Sequence, residues 1–159
     1  MGVPFFIREG EKKMYKAKLV KHVCKDMQLT DENNKVVFKA SVNVAVDDYL
    51  NNIPALTKSI QEVTTKTEEL KRSLAGKTKE NALEVLTAMS SLSEELSRYI
   101  NVYLVTIFGA AKAHELLMAC DNRSLDAYCA IVPFVNEVIA PEVAKELNKN
   151  MARITDIMK

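Results

Sequence analysis

The tripeptide Gly76-Lys77-Thr78 is the part of the sequence closest to phosphate-binding chemistry. A P-loop needs the pattern Gly-x4-Gly-Lys-Ser/Thr between a strand and a helix, because the backbone N–H groups of the glycine-rich turn hold the phosphates. The first glycine of that pattern falls on Lys71, and the residues before it have helical periodicity. We therefore interpret Gly76 as the end of one helix and Thr78 as the N-cap of the next, and predict no nucleotide site.

The histidines and cysteines offer little for metal or thiol chemistry. His22 and Cys24 would share one face of a strand and could touch a metal ion or form a dyad, but a closed zinc site needs four ligands. His114, Cys120 and Cys129 could complete such a site across the fold. We favour the simpler interpretation of small, half-buried residues, and predict neither a metal nor a cofactor.

No residue pattern points to an enzyme. His114 is placed on the apolar side of its predicted helix, between Ala110 and Leu117, as a core or interface histidine. A small-molecule enzyme with a pocket lined by His114 and Tyr103 remains an alternative, because histidine readily takes metal and proton roles. Adjacent carboxylates on amphipathic helices point to water instead of converging on a pocket. Such pairs occur at Asp47-Asp48, Glu68-Glu69 and Glu94-Glu95.

The clearest electrostatic feature is a basic segment near the N-terminus. Residues 8–25 contain seven positive and two negative charges, a net +5 in a chain whose total is +1, so the rest carries −4. Such a segment can neutralise phosphates or an acidic partner, while an aromatic side chain can stack on bases. The alternative is a strand edge that lysines protect against aggregation. The predicted contact residues are Lys12, Lys13, Tyr15, Lys16, Lys18, Lys21 and Lys25.

The totals fit one globular unit. With 159 residues, 48% hydrophobic and 27% charged, the chain is long enough to bury a core without the help of disulfide bonds or a bound metal ion. An odd set of three cysteines without a CxxC spacing, and no secretory segment at the start, favour an intracellular, cytoplasmic setting. The longest apolar run, residues 102–111, is about half of what a membrane crossing needs, so no membrane span is predicted.

The first third of the chain has strand periodicity. Apolar residues alternate from Val36 to Val46, after a polar turn over residues 30–34. Residues 15–20 are consistent with a partner strand, although 14–29 also fit a helix, and residues 3–7 could add a third short strand. We predict a β-hairpin, a meander or an extended arm over residues 1–46, packed as one unit with a helical bundle over 47–159.

The period changes to that of helices after Val46. A second helix from about Thr78 either runs to about Ala119 or breaks near Asn101 or Gly109, and a third covers roughly residues 125–139, bent by Pro133. Three to five helices are predicted. A heptad seam with a central patch supplies the predicted helix interface: Ile53, Leu56, Ile60, Val63, Leu70, Leu74, Tyr103 and Ile107. The apolar stripe of the last helix is predicted to face inward; it consists of Val143, Leu147, Met151, Ile154 and Met158.

These patterns predict a mainly α protein that is non-catalytic. The heptad seam is explained either by packing within one bundle or by pairing between chains, coiled-coil fashion. We expect an interaction and assembly protein that forms homo-oligomers through amphipathic helices, with its basic N-terminal ribbon on an acidic protein. The alternative is a nucleic-acid-binding protein, such as a viral coat-like or nucleoid-type protein, that uses the lysine-rich segment 12–25.

Overall fold

The computed structural model describes residues 22–75 and 79–158. Two strands come first and helices follow, so the prediction of a helical bundle preceded by a β-hairpin is confirmed. The elements are β1 (His22–Thr30), β2 (Val36–Ala45), α1 (Val46–Leu74), α2 (Lys79–Phe108), α3 (Ala110–Ala119), α4 (Ser124–Phe134), a π-helical segment (Val135–Ile139) and α5 (Ala140–Met158).

The hairpin is antiparallel, and its turn is organised by Asp31. The Asp31 carboxylate accepts hydrogen bonds from the backbone N–H groups of Asn33 (2.8 Å) and Lys35 (3.0 Å). Asn34 takes the left-handed conformation at φ 63°, which asparagine tolerates better than most residues. The polar turn predicted from sequence is thus the hairpin turn. The partner strand is β1, so a helix over residues 22–29 is excluded, and the strands predicted upstream lie outside the described residues.

One face of the hairpin enters the core. Phe38, Ala40, Val42 and Val44 are buried, as their alternation predicts. Val36 is exposed, since the strand register shifts near the turn. The alternating series also ends one residue early, because Val46 is buried as the first residue of α1.

Helices α1 and α2 form an antiparallel pair joined near residues 75–79. The predicted seam faces α2: Ile53, Ile60 and Val63 are buried, while Leu70 and Leu74 are half-buried. Toward the joined end, burial weakens because, among the described elements, only α1 and α2 meet there. Gly76 and Thr78, predicted to end one helix and begin the next, lie outside the described residues.

Gly109 ends α2 and separates it from α3. Its backbone angles, φ 82° and ψ 163°, lie in a region that essentially only glycine enters. The prediction of a break near this glycine is confirmed. Because the break resets the helical phase, Ala113 and Leu116 are the α3 residues that reach the core.

The predicted third and last helices form one continuous helix over Ser124–Met158, so the predicted end near residue 139 is wrong. A π-helical segment lies between its two prolines. Pro133 and Pro141 each lack the N–H that would bond one turn back, and Ala140 N–H reaches Val135 O, five residues earlier. The wider π turn keeps residues spaced by four on one face. These core residues are Ala127, Ile131, Val135, Ile139 and Val143.

The core joins the hairpin to the helices in one hydrophobic cluster. Phe38 on β2 packs edge-on against Phe108 on α2, with ring centroids 5.6 Å apart. Tyr103 on α2 packs edge-on against Tyr128 on α4 at 5.0 Å. The hairpin is therefore part of the same packed unit as the helical bundle in the described residues.

Candidate helix-association surface

The second half of α5 carries an apolar stripe that is not covered. Leu147, Met151, Ile154 and Met158 follow steps of four, three and four, which place them on one side of a helix. Met151 is 55% exposed, Ile154 50% and Met158 81%. We call these four residues the C-terminal stripe. The prediction that this stripe faces inward is wrong for all but the preceding Val143, which is buried.

The reason is that the helix continues beyond the packed body. Every residue from Met151 to Met158 is exposed, whereas a helix lying on the body would bury one side. The last two turns therefore do not pack against the described part of the chain. A short helical end without packing partners has little stability in water. Contact with a partner would therefore stabilise the helix most at this surface.

One ion pair joins the first turn of α5 to the hairpin, and two more lie within α5. Lys25 Nζ on β1 lies 3.9 Å from Glu142 Oε1, and Lys145 Nζ lies 3.5 Å from the same carboxylate. Lys149 pairs with Glu146 at 3.3 Å. Such partly exposed pairs contribute up to about 1 kcal/mol each, so they orient the start of α5 more than they stabilise it.

The predicted helix interface is used inside the chain. Ile53, Ile60, Val63, Tyr103 and Ile107 are buried in this structure, and they fill the space among α1, α2 and α4. The remaining three, Leu56, Leu70 and Leu74, are half-buried. Of the two explanations for the seam, packing within one bundle accounts for these contacts.

The predicted basic contact residues fall almost entirely outside the described residues. Lys12, Lys13, Tyr15, Lys16, Lys18 and Lys21 belong to that part. Lys25 is described and lies directly opposite Val42 in the hairpin, on the core-facing side, where it reaches Glu142. The Lys25 ammonium therefore has a carboxylate partner within the described residues.

The histidines lie apart from each other and from Tyr103. His22 and Cys24 share the outer face of β1 as predicted, and Oδ1 of Asn43 accepts from both, at 2.7 Å from Nδ1 and 3.6 Å from Sγ. His114 is exposed on α3, so its predicted place on the apolar side of that helix is wrong. Among the described residues, no group of three or more metal-ligating side chains comes together.

An open cleft of about 560 Å³ lies between the hairpin and α3. Lys112 Nζ donates to Lys39 O over 3.1 Å and pairs with Glu115 at 3.1 Å, so this lysine satisfies a backbone carbonyl of β2. Asp26 and Ser41 lie opposite each other on the two strands that form one wall of the cleft. Its lining residues are Asp26, Met27, Gln28, Lys39, Ala40, Ser41 and Lys112.

Two other apolar features are weaker candidates for a partner surface. Leu83 and Leu86 are exposed near the joined end of α1 and α2, but polar Thr87 and Ser90 follow them. The helix Ser124–Met158 is long and apolar enough to cross a membrane, which sequence analysis did not anticipate. Its core residues from Ala127 to Val143 are buried, but only 28% of its most apolar 18-residue stretch is buried in total.

Comparison of the chain with protein-family models, curated proteins and solved structures finds no match.

Proposed function

We propose that this chain is a non-catalytic interaction and assembly protein that associates with further copies of itself through an amphipathic helix. The supporting observation is the C-terminal stripe, whose exposed side chains form a contiguous apolar surface. By order of magnitude this surface covers about 500 Å², which matches the largest apolar patch on a typical monomer, and such patches are often functional. An apolar surface of this kind is stabilised when a second helix removes it from water.

The titratable groups support a non-catalytic role. Among the described residues, the side chains with raised pKa values are Tyr49, Tyr103, Tyr128 and Cys120, and burial is the main cause for each. Tyr103 and Tyr128 pack edge-on against one another, which explains their burial by packing. The two histidines, His22 and His114, are exposed on different elements.

A second part of the proposal concerns the basic segment. The net +5 of residues 8–25, against −4 for the rest, favours contact with an acidic protein partner. The same charge supports the alternative of nucleic-acid binding. The two differ in salt response, because binding to phosphates weakens steeply with ionic strength, while apolar helix association persists.

Light scattering of the untagged full chain across low to high micromolar concentrations tests the proposal. We expect the mass to rise above the 17.8 kDa of one chain as concentration increases. The ratio of nucleic-acid to protein absorbance in the same sample reports bound nucleic acid. A mass of one chain at every concentration and salt level contradicts self-association.

A further inference from the structure

We infer that the C-terminal stripe pairs antiparallel with the same stripe of a second copy, in a symmetric contact that closes as a dimer. This inference rests on the proposed self-association and specifies its geometry. A contact in which the same surface serves both partners uses up that surface, so it does not propagate into a filament.

The spacing of the stripe is self-complementary. The outer pair, Leu147 and Met158, and the inner pair, Met151 and Ile154, share one midpoint, between Ala152 and Arg153. An antiparallel partner centred there sets Leu147 against Met158 of the second copy and Met151 against its Ile154. All four side chains of each copy are then covered, as in the seam of a two-stranded coiled coil.

The helix dipoles favour the antiparallel orientation over the parallel one. The uncharged Asn148 and Thr155 flank the stripe on one side, and Asn150 and Ile157 flank it on the other, so the contact desolvates no charge. A parallel pairing in register aligns the two helix dipoles, which repel, whereas an antiparallel pairing sets them in opposite directions, which attract.

The shape of the molecule leads to the same choice. The packed body lies at the N-terminal end of the stripe, since Val143 is buried and residues 151–158 are exposed. The stripe spans about 18 Å along the helix at ~1.5 Å per residue. Parallel pairing would bring two bodies side by side over this short length, whereas antiparallel pairing puts them at opposite ends.

The area is sufficient for a specific but modest contact. Two stripes bury together roughly 1,000 Å², the lower limit for a specific interface. The expected association is therefore reversible with concentration, and it depends on the few apolar side chains at the centre.

Cysteine cross-linking in the full chain tests the orientation. Leu147→Cys and Met158→Cys variants are prepared separately, one of them isotope-labelled, with the native cysteines retained. After mild oxidation, mass spectrometry identifies the cross-linked peptides. We expect the mixture to give a disulfide between Cys at 147 of one copy and Cys at 158 of the other. Neither variant alone can form this product, since each carries only one of the two introduced cysteines.

The outcomes separate the inference from the proposed function. Disulfides joining 147 to 147, or 158 to 158, at equal or greater yield indicate a parallel pair and overturn the inference, while self-association stands. A dimer by light scattering without any cross-link at these positions also overturns the inference, while self-association stands. A single-chain mass at every concentration overturns both. Circular dichroism of each variant shows that the helices are retained.

Discussion

Tyr103 is the most deeply buried phenol in the described residues, at 2% exposure. Burial raises its pKa above the ordinary 10.0, and the neighbouring Tyr128 and Tyr49 raise it further. Because the unfolded chain loses this proton at lower pH than the folded chain, the stability that the neutral phenol provides is complete below pH 10 and is lost above it.

Replacing Tyr103 with Phe therefore changes the response to alkali. We expect the free energy of unfolding to fall less steeply above pH 10 in Tyr103→Phe than in the wild type, because one titrating group is removed from the core. Urea unfolding monitored by circular dichroism from neutral to alkaline pH measures both slopes. Equal slopes for the two proteins would show that Tyr103 does not titrate differently in the folded state.

Asp31 has an equally local role in the hairpin turn. Its carboxylate accepts two backbone hydrogen bonds that close the turn. The Asp31→Ala variant is expected to lose about 1 kcal/mol of unfolding free energy, since these N–H groups must then form hydrogen bonds with water instead. Glu32→Ala, at the next exposed position of the turn, is the matched control and should leave the urea midpoint nearly unchanged. Equal losses in both variants would contradict the role given to Asp31.

At the level of elements, Gly109 sets where α2 ends and α3 begins. A Cβ placed there meets nothing within 4 Å, so the cost of a side chain comes from the backbone alone. Gly109→Ala should reduce the unfolding free energy by about 1–3 kcal/mol, whereas the same change in an ordinary helix would increase it. Chemical denaturation gives the sign directly, and a more stable variant would mean that α2 continues through this position.

The basic segment makes a prediction that is separate from the helices. A double variant, Lys16→Glu with Lys18→Glu, should weaken retention on an immobilised polyanion and reduce its salt dependence, because two positive charges become negative. Its oligomer mass should stay that of the wild type. Unaltered retention would remove these lysines from the account.

Much of the fold could be predicted from sequence because periodicity records which side faces a core. The alternation from Phe38 to Val44 and the heptad seam of α1 are both found as predicted. The strand β1 was harder to predict, since Lys25 interrupts its apolar side and finds a partner only in Glu142, over a hundred residues away. Such a distant ion pair leaves no local pattern.

The candidate surface could be predicted only in part. The sequence identifies an apolar stripe from Val143 to Met158, but periodicity cannot tell whether a stripe is covered by its own chain. Only the positions of the other helices show that the cover ends after Val143. In the same way, the phase of α3 depends on the backbone at Gly109, which is why His114 was placed on the wrong side.

At the scale of the whole molecule, a hairpin and a helical body share one core, and one helix end extends beyond it. The residues with the strongest sequence pattern stabilise the fold, and those left over at the C-terminus are available to a partner. On this account, assembly depends on a few side chains of α5 and little on the interior.

Sedimentation velocity of two single variants at micromolar concentration tests this account most directly. Met151→Glu introduces a carboxylate into the stripe, and Ala152→Glu introduces the same group at the next exposed position, on the opposite side of α5. We predict that Met151→Glu sediments as one chain, while Ala152→Glu sediments as the dimer of the wild type, because only the first charge would be buried on association. Identical sedimentation of both variants and the wild type would contradict the account.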